Sequence, residues 1–235
     1  MSKLYLTKQK KINMNNIGVI TGDIVNSSSI KNKNRQQLLA VLKSSFREIN
    51  NHVIKDKKSS FEIFRGDSFQ AILKKPELTL LASMLIRAKL RSIAKDSTKH
   101  SSKDVWDARI AIGIGQIDYK SHKTIESDGQ AFLLSGKTLD GMKKMDHRLQ
   151  IATPWQDVNS ELKVSFAFAD AIINDWSNLQ AEAFYEMLLT NKMQKDVSKK
   201  LDISAVALHL RLKTGKYECL KLFLKRFENI MTSKI

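Results

Sequence analysis

Two aspartates stand at the ends of short apolar segments, each directly after a glycine. Asp23 follows residues 17–22 (IGVITG), and Asp67 follows residues 61–66 (FEIFRG). Apolar residues resume after each Gly-Asp pair, which is typical of a carboxylate at the solvent-facing end of a strand. Mg²⁺ is usually held by one or two carboxylates, and its other positions are left to water and phosphate. Two such carboxylates on neighbouring strands therefore predict a shared Mg²⁺ or Mn²⁺ site, although Gly-Asp also fits a plain turn in either segment.

The elements that must position these aspartates follow from the periodicity of the apolar residues. Apolar runs predict strands over residues 17–25, 61–73, 108–115 and 150–153, the second of which turns back at Gly66-Asp67 to form a hairpin. Leu38, Leu42 and Phe46 recur at helical spacing and predict a helix over residues 35–53. Further helices are predicted over residues 78–93, 129–142 and 168–189. This order describes an α/β or α+β sandwich in which helices pack on a sheet. Of the two, we predict the α+β form, a ferredoxin-like, cyclase-like sandwich with a mixed sheet.

Two glycines in the strand over residues 108–115 predict close backbone contacts. Gly113 and Gly115 alternate with isoleucines, and glycine inside a strand often marks a place where another backbone approaches. They do not form a nucleotide-binding glycine loop, because Gln116 to Asp118 follow where that motif requires a third glycine.

The composition is that of a globular protein with an excess of positive charge. The chain has 235 residues, of which 42% are apolar, and a formal net charge of +16. No apolar run approaches the length of about 18 residues that a membrane span needs, so no membrane partner is expected. The charge predicts attraction to nucleic acid or nucleotides, although a lysine-rich composition by itself also produces such a charge. With Cys219 as its single cysteine and no signal-like apolar stretch after the basic residues 1–16, the chain is expected in a reducing cytoplasm.

Residues 194–213 have the pattern of a helix-turn-helix. Residues 194–201 predict a short helix, Asp202 and Ile203 predict a turn, and Ser204 is placed to cap a second helix over residues 205–213. In a DNA-binding helix-turn-helix, this second helix enters the major groove. A helical hairpin packed on the main domain is the alternative. The residues expected to contact DNA are Ser204, Ala205, Ala207, His209, Arg211, Lys213 and Lys216.

Four segments resemble the SatD family, whose first part looks like a class III nucleotide cyclase domain. They are residues 21–27 (TGDIVNS), 64–69 (FRGDSF), 109–115 (RIAIGIG) and 127–132 (SDGQAF). The resemblance covers about residues 17–153. Together with the basic residues at the start and the helix-turn-helix pattern, it predicts a basic lead-in over residues 1–16, a cyclase-like domain over 17–168 and a small all-α helix-turn-helix domain over 169–235. Because cyclase sites are built between two protomers, it also implies a homodimer.

The resemblance also implies roles for single residues. Asp23, Asp67 and the carbonyl of Ile24 match the metal ligands of cyclases, and Lys137 takes the place of the arginine that stabilises the transition state. Lysine is a point charge without the guanidinium fork. Ile63 and Leu133 replace the residues that read adenine and orient the ribose. The residues implied to bind the nucleotide are Asn26, Ser27, Arg65, Gly66 and Asp128, the last of which could instead cap the following helix.

These features support two functions of different classes. The first is a DNA-binding regulator whose cyclase-like domain binds a nucleotide or second messenger with a divalent cation. The second is an enzyme, a nucleotidyl cyclase or related nucleotidyltransferase. The helix-turn-helix and the charge favour the regulator, the aspartate pair favours the enzyme, and Leu133 and Lys137 weigh against cyclisation. A structural interaction module, in which the aspartates only order strand ends, is a third reading.

Overall fold

The computed structural model describes residues 16–30, 32–56, 59–64, 66–93, 105–117 and 129–235. The strands are β1 (Ile17–Ile24), β2 (Ser60–Phe64), β3 (Ser68–Leu73), β4 (Ala108–Gly115) and β5 (Leu149–Ala152). The α-helices of these residues are α1 (Asn32–Ile49), α2 (Thr79–Arg91), α3 (Gln130–Met145), α4 (Gln156–Asn174), α5 (Asn178–Thr190), α6 (Gln194–Lys200), α7 (Ala205–Thr214) and α8 (Tyr217–Lys234).

The strands form one mixed sheet with β1 at its centre. Their order is β2-β3-β1-β4-β5, in which β1 is antiparallel to both β3 and β4, and β5 is parallel to β4. The first four strands and their two helices thus have the order of a ferredoxin-like β-α-β-β-α-β unit. Every residue of β1 is buried, including the polar Thr21 and Asp23 that follow its apolar start, Ile17–Ile20. The predicted mixed sheet with packed helices is confirmed.

Helices cover both faces of the sheet. Ile20 and Ile24 of β1 belong to the large apolar core that also contains residues of α1 and α2. Val19 faces the other way and packs with Ala131 of α3. A Cβ atom added to Gly113 would lie 2.1 Å from the Ala131 carbonyl oxygen, so α3 rests its backbone directly on β4. The expected close approach at this glycine is confirmed.

The C-terminal helices share the core of the sheet. The single helix predicted over residues 168–189 is divided into α4 and α5, because Ser177 starts α5 with a capping box that it forms with Gln180. The boundary expected after residue 168 falls within α4. Buried residues of α5, α7 and α8 belong to the same apolar cluster as β1 and α1. No helix among the described residues combines the length and the apolar character that crossing a bilayer requires.

An ionic cluster lies inside the core, where α2 meets β4 and α4. Arg87 donates from Nε and Nη2 to Asp107 at 2.9 and 2.8 Å, and from Nη1 to Asp170 at 2.7 Å. Arg91 donates to Asp107 and to the carbonyl of Trp176, both at 2.8 Å. Burial alone would raise the pKa of the Asp107 carboxyl, but the attraction of Arg87 and Arg91 outweighs it and holds that pKa well below its usual range. The cluster therefore ties the sheet to the C-terminal helices.

Candidate functional site

Asp23 lies near the end of β1 on the face of the sheet that α3 covers. Its carboxylate accepts a hydrogen bond from Arg109 Nε at 2.8 Å and forms an ion pair with Lys143 Nζ at 3.6 Å. Arg109 is its direct partner in the register of β1 and β4, and Lys143 comes from the last turn of α3. The Asp23 side chain is only 11% exposed. This carboxylate is thus a partly buried anion between two cations.

Asp67 lies in the turn between β2 and β3, as the hairpin prediction required. Gly66 precedes it with φ +75°, a left-handed conformation that glycine adopts at no steric cost. The Asp67 carbonyl accepts the N–H of Ile24 at 2.9 Å, which fixes the hairpin to the end of β1. Its carboxylate accepts the hydroxyl of Ser27 at 2.6 Å and that of Ser68 at 3.4 Å. Among the described residues, its hydrogen-bond partners are hydroxyls, in contrast to the cations around Asp23.

The backbones of the two aspartates lie at one corner of the sheet. Asp23 pairs with Ser68 across the β1–β3 ladder, directly beside Asp67. The N–H and C=O of one strand residue point to the same side, so the carbonyl of Ile24 faces the hairpin that its N–H contacts. Two carboxylates and a carbonyl are hard oxygen donors of the kind that Mg²⁺ and Mn²⁺ take. No cluster of three or more acidic, histidine or cysteine side chains suited to a metal occurs in the described part of the chain.

A short chain of hydroxyls and amides holds α3 over the site. The Oγ1 atom of Thr21 lies 2.8 Å from the Oγ atom of Ser135, and the side-chain amide of Gln70 donates to Thr21 at 3.2 Å. Because Gly113 lets α3 approach the sheet at the same level, the helix is fixed along its length. This packing sets the position of Lys143 relative to Asp23.

The other side of the site is fixed by the ionic cluster. The N–H of Val25, two residues after Asp23, donates to the carbonyl of Asp107 at 2.9 Å. The carboxylate of Asp107 is held by arginines of α2, and Arg148 also reaches it at 3.1 Å. The end of β1 is therefore anchored to the residue whose side chain lies at the centre of the buried ionic cluster.

Of the five residues predicted to bind the nucleotide, three lie in turns beside Asp67 and two lie outside the described residues. Asn26 and Ser27 lie in the turn directly after β1, where Asn26 has a left-handed φ of 56° and Ser27 bonds Asp67. Gly66 is in the hairpin turn beside them. Arg65 and Asp128 lie outside the described residues.

Lys137, predicted as a catalytic residue, lies on the outward face of α3. The buried positions of this helix are Ala131, Ser135, Leu139 and Met142, whereas Lys137 and Leu133 are exposed. Lys143 is the α3 lysine that contacts Asp23 within one chain. Arg109 and Lys143 were missed by the sequence reasoning, because only the strand register and the seating of α3 bring them to Asp23.

The helix-turn-helix pattern corresponds to α6, a turn and α7. Asp202 occupies the turn with φ 51°, a left-handed conformation that aspartate tolerates. The Ser204 hydroxyl accepts the N–H of Ala207 at 3.1 Å, as a capping residue should. Leu208 and Leu212 are buried, as the pattern predicts. The local structure therefore follows the pattern, and contact with DNA stays a prediction.

The residues expected to contact DNA are not equally available on α7. Ser204, Ala205, His209, Lys213 and Lys216 are exposed. Ala207 and Arg211 are partly buried, and Arg211 Nη1 donates to Glu182 of α5 at 3.1 Å. The sequence reasoning did not single out Val206 and Leu210, which expose apolar side chains on the same helix.

A sequence profile of the SatD family matches residues 17–232 of the chain. No curated protein sequence matches it significantly.

Several solved structures are similar over part of the chain. The GGEEF domain of a diguanylate cyclase from Vibrio cholerae is 15% identical, with a TM-score of 0.41, over 60% of this chain and 84% of that one. The GGDEF domain of DgcB from Caulobacter crescentus, in complex with c-di-GMP, is 12% identical, with a TM-score of 0.42, over 59% and 77%. A bacterial light-regulated adenylyl cyclase is 13% identical, with a TM-score of 0.40, over 59% and 74%. At this level of similarity they do not establish a function.

Proposed function

The chain belongs to the SatD family, and we propose that it binds a nucleotide together with a divalent cation at the corner of the sheet formed by Asp23, Ile24 and Asp67. The observation that carries the proposal is the backbone bond from the N–H of Ile24, the residue after Asp23, to the Asp67 carbonyl, which brings both aspartates to one corner of the sheet. The resemblance of these motifs to cyclase domains supports the nucleotide as the ligand class.

The charges around the corner fit a polyphosphate. Asp23, Asp67 and the Ile24 carbonyl would hold the cation, which would neutralise phosphate oxygens and orient them. Arg109 and Lys143 contact Asp23 and lie where they can also bind phosphate. Ser27 offers a hydroxyl beside Asp67. The proposed site thus combines carboxylates that would bind the metal ion with basic side chains that would bind the phosphate.

Thermal unfolding with each nucleoside triphosphate, with and without Mg²⁺ or Mn²⁺, tests the proposal. A ligand at a hundred times its dissociation constant stabilises the folded state by about 2.7 kcal/mol. For a chain of this length that is a rise in melting temperature of about 5–11 °C. Asp67→Asn should abolish the rise, whereas Asp196→Asn on exposed α6 should leave it unchanged. No metal-dependent rise with any of the four nucleotides, or the same rise in Asp67→Asn, would contradict the proposal.

The alternative function is a nucleotidyl cyclase or related nucleotidyltransferase. Its support is the same aspartate pair, whereas Ile63, Leu133 and Lys137 depart from the cyclase pattern. A turnover assay separates binding from catalysis: an enzyme should release pyrophosphate from a nucleoside triphosphate, and Asp23→Ala should stop the release. A nucleotide that raises the melting temperature without pyrophosphate release favours the regulator.

The second part of the proposal is DNA binding through α7, which would make the protein a transcription regulator controlled by the nucleotide. The supporting observations are the cap at Ser204, the left-handed turn at Asp202 and the exposed His209, Lys213 and Lys216. Binding of duplex DNA should weaken as salt rises, and each lost phosphate contact should reduce the salt slope by about one.

A pair of variants tests this surface. Lys213→Ala with Lys216→Ala should weaken binding and flatten the salt dependence, whereas Lys163→Ala on α4 should do neither. Arg211→Ala should have the smaller effect on DNA, because Arg211 is already paired with Glu182. Equal binding by the double variant and the unchanged chain would exclude α7 as the contact helix.

A further inference from the structure

We propose that a face formed by α4 and α8 joins two copies of this chain. Three large apolar side chains on these helices lie mostly in solvent: Val164 is 59% exposed, Phe168 is 67% and Leu222 is 73%. A groove of about 320 Å³ runs between the helices beside them. Single exposed apolar residues are ordinary, but several on one continuous surface mark an interaction site.

The spacing of these residues makes the face continuous. Val164, Phe168 and Ile172 are four residues apart on α4 and lie on one side of that helix. Cys219 and Leu222 line the opposite side of the groove on α8. The helix pair therefore presents two adjacent apolar stripes, which is the surface that helix bundles bury.

The face is rigid before any partner arrives. Beneath the groove, Phe166 of α4 packs edge-to-face on Phe223 of α8 with ring centroids 5.3 Å apart. Arg226 Nη2 pairs with Glu161 at 2.6 Å, and Lys234 pairs with Asp157 at 2.7 Å, both across the two helices. A preorganised surface loses less entropy on association than a mobile one.

Charge indicates that the partner is a second copy. The chain carries a net charge of +16, so two copies repel each other over most of their surfaces. The helices α4 and α8 together expose five basic and four acidic residues, a net charge of only +1, because their fifth acidic residue, Asp170, is buried against Arg87. Copies can approach along this face with the least repulsion, whereas a strongly acidic partner would be drawn to other surfaces.

The proposed interface is isologous: the α4–α8 pair of one copy packs on the same pair of the other. Phe168 and Leu222 of each copy would fill the apolar groove of its partner, and paired charges such as Arg226 with Glu161 would form the rim. This arrangement needs neither a nucleotide nor DNA, so it stands or falls independently of the proposed function.

Mass measurement by light scattering across a concentration series tests the interface. The unchanged chain should move towards twice the 26.8 kDa of one chain as concentration rises. Leu222→Glu should raise the dimer dissociation constant by about 30-fold or more, the loss typical of a central interface residue. The control is Leu133→Glu, which changes an apolar residue of α3 that is 55% exposed and lies outside the proposed interface. This variant should dimerise like the unchanged chain.

A second readout uses the single cysteine of the chain, which is exposed and lines the groove. Reaction of Cys219 with a maleimide should slow as the concentration of the unchanged chain rises, because the dimer covers it. A monomer at all concentrations, or a Leu222→Glu dimer as tight as the original, would overturn the proposal. Should Leu222→Glu fail to fold, a Cys219 rate that does not depend on concentration in the unchanged chain overturns it.

Discussion

The seating of α3 on β4 predicts opposite effects for two glycine-to-alanine substitutions. In Gly113→Ala, the new Cβ would lie 2.1 Å from the Ala131 carbonyl oxygen and 2.7 Å from the Ser135 nitrogen, where ordinary contact begins at 3.4 Å. Both atoms belong to the backbone of α3, so the helix must retreat by about 1 Å rather than rotate a side chain. At Gly136, on α3 itself, a new Cβ would meet no atom of a neighbouring element within 4 Å.

The magnitudes follow from these contacts. Overpacking a core costs about 1–3 kcal/mol, and the retreat also stretches the buried hydrogen bond of 2.8 Å between Thr21 and Ser135. With about 0.5–1.5 kcal/mol for that bond, Gly113→Ala should lower the free energy of unfolding by about 2–4 kcal/mol. Gly136→Ala should raise it by about 0.5–1 kcal/mol, since alanine is the better helix former.

Urea unfolding followed by circular dichroism measures both changes, and ligand binding adds a functional readout. The same retreat carries Lys143 away from Asp23, so Gly113→Ala should also weaken metal-dependent nucleotide binding, whereas Gly136→Ala should not. If the free energy of unfolding of Gly113→Ala differs from that of the unchanged chain by less than about 0.5 kcal/mol, α3 does not pack on β4 as described.

Three further predictions concern the ionic cluster, the proposed recognition helix and the junction of the C-terminal helices. Asp107→Asn should cost about 3–5 kcal/mol at neutral pH, because it leaves buried arginines without their partner. Since folding lowers the pKa of Asp107, the stabilisation by its carboxylate is complete above the unfolded pKa of about 3.9 and is lost progressively below it. The difference in the free energy of unfolding between Asp107→Asn and the unchanged chain, measured by urea titration, should therefore shrink as the pH falls below about 4. Ser204→Ala removes the cap on Ala207 and should lower stability in thermal unfolding by about 1 kcal/mol. Trp176→Phe deletes the buried hydrogen bond of 3.0 Å from the indole N–H to the Gly215 carbonyl. It should lower stability by about 1–3 kcal/mol in the same assay, and an unchanged stability would show that this bond does not stabilise the fold.

The order of elements around the sheet could be predicted from the sequence because periodicity is a local property. Leu38, Leu42 and Phe46 already show the buried side of α1, and all three are buried in the core. The break between α4 and α5 was missed although its cap, Ser177 followed by Gln180, is present in the sequence. The apolar residues continue through this break, so periodicity alone favoured one long helix.

The contacts of the site could not be predicted in the same way, because they join residues far apart in the chain. Arg109 reads as one polar residue at the start of a strand, and only the register of β1 and β4 places it opposite Asp23. Arg87 and Arg91 lie in a helix where arginine is commonly exposed, yet both are fully buried. Their burial depends on Asp107 and Asp170, which come from two later elements.

The two aspartates that dominate the sequence are not equivalent in the structure. Asp23 is held by two cations, so a metal ion must compete with Arg109 and Lys143 for its oxygens. Asp67 accepts hydrogen bonds from the hydroxyls of Ser27 and Ser68. These bonds to neutral groups are weaker than the contacts of Asp23 with cations, so a metal ion would displace them at a lower cost in free energy. In the proposed site, a phosphate that arrived with the metal would resolve this competition, because it would offer Arg109 and Lys143 a new anion and leave the Asp23 oxygens to the metal. If the proposed site binds a metal, we therefore expect the metal to bind better together with a phosphate than alone.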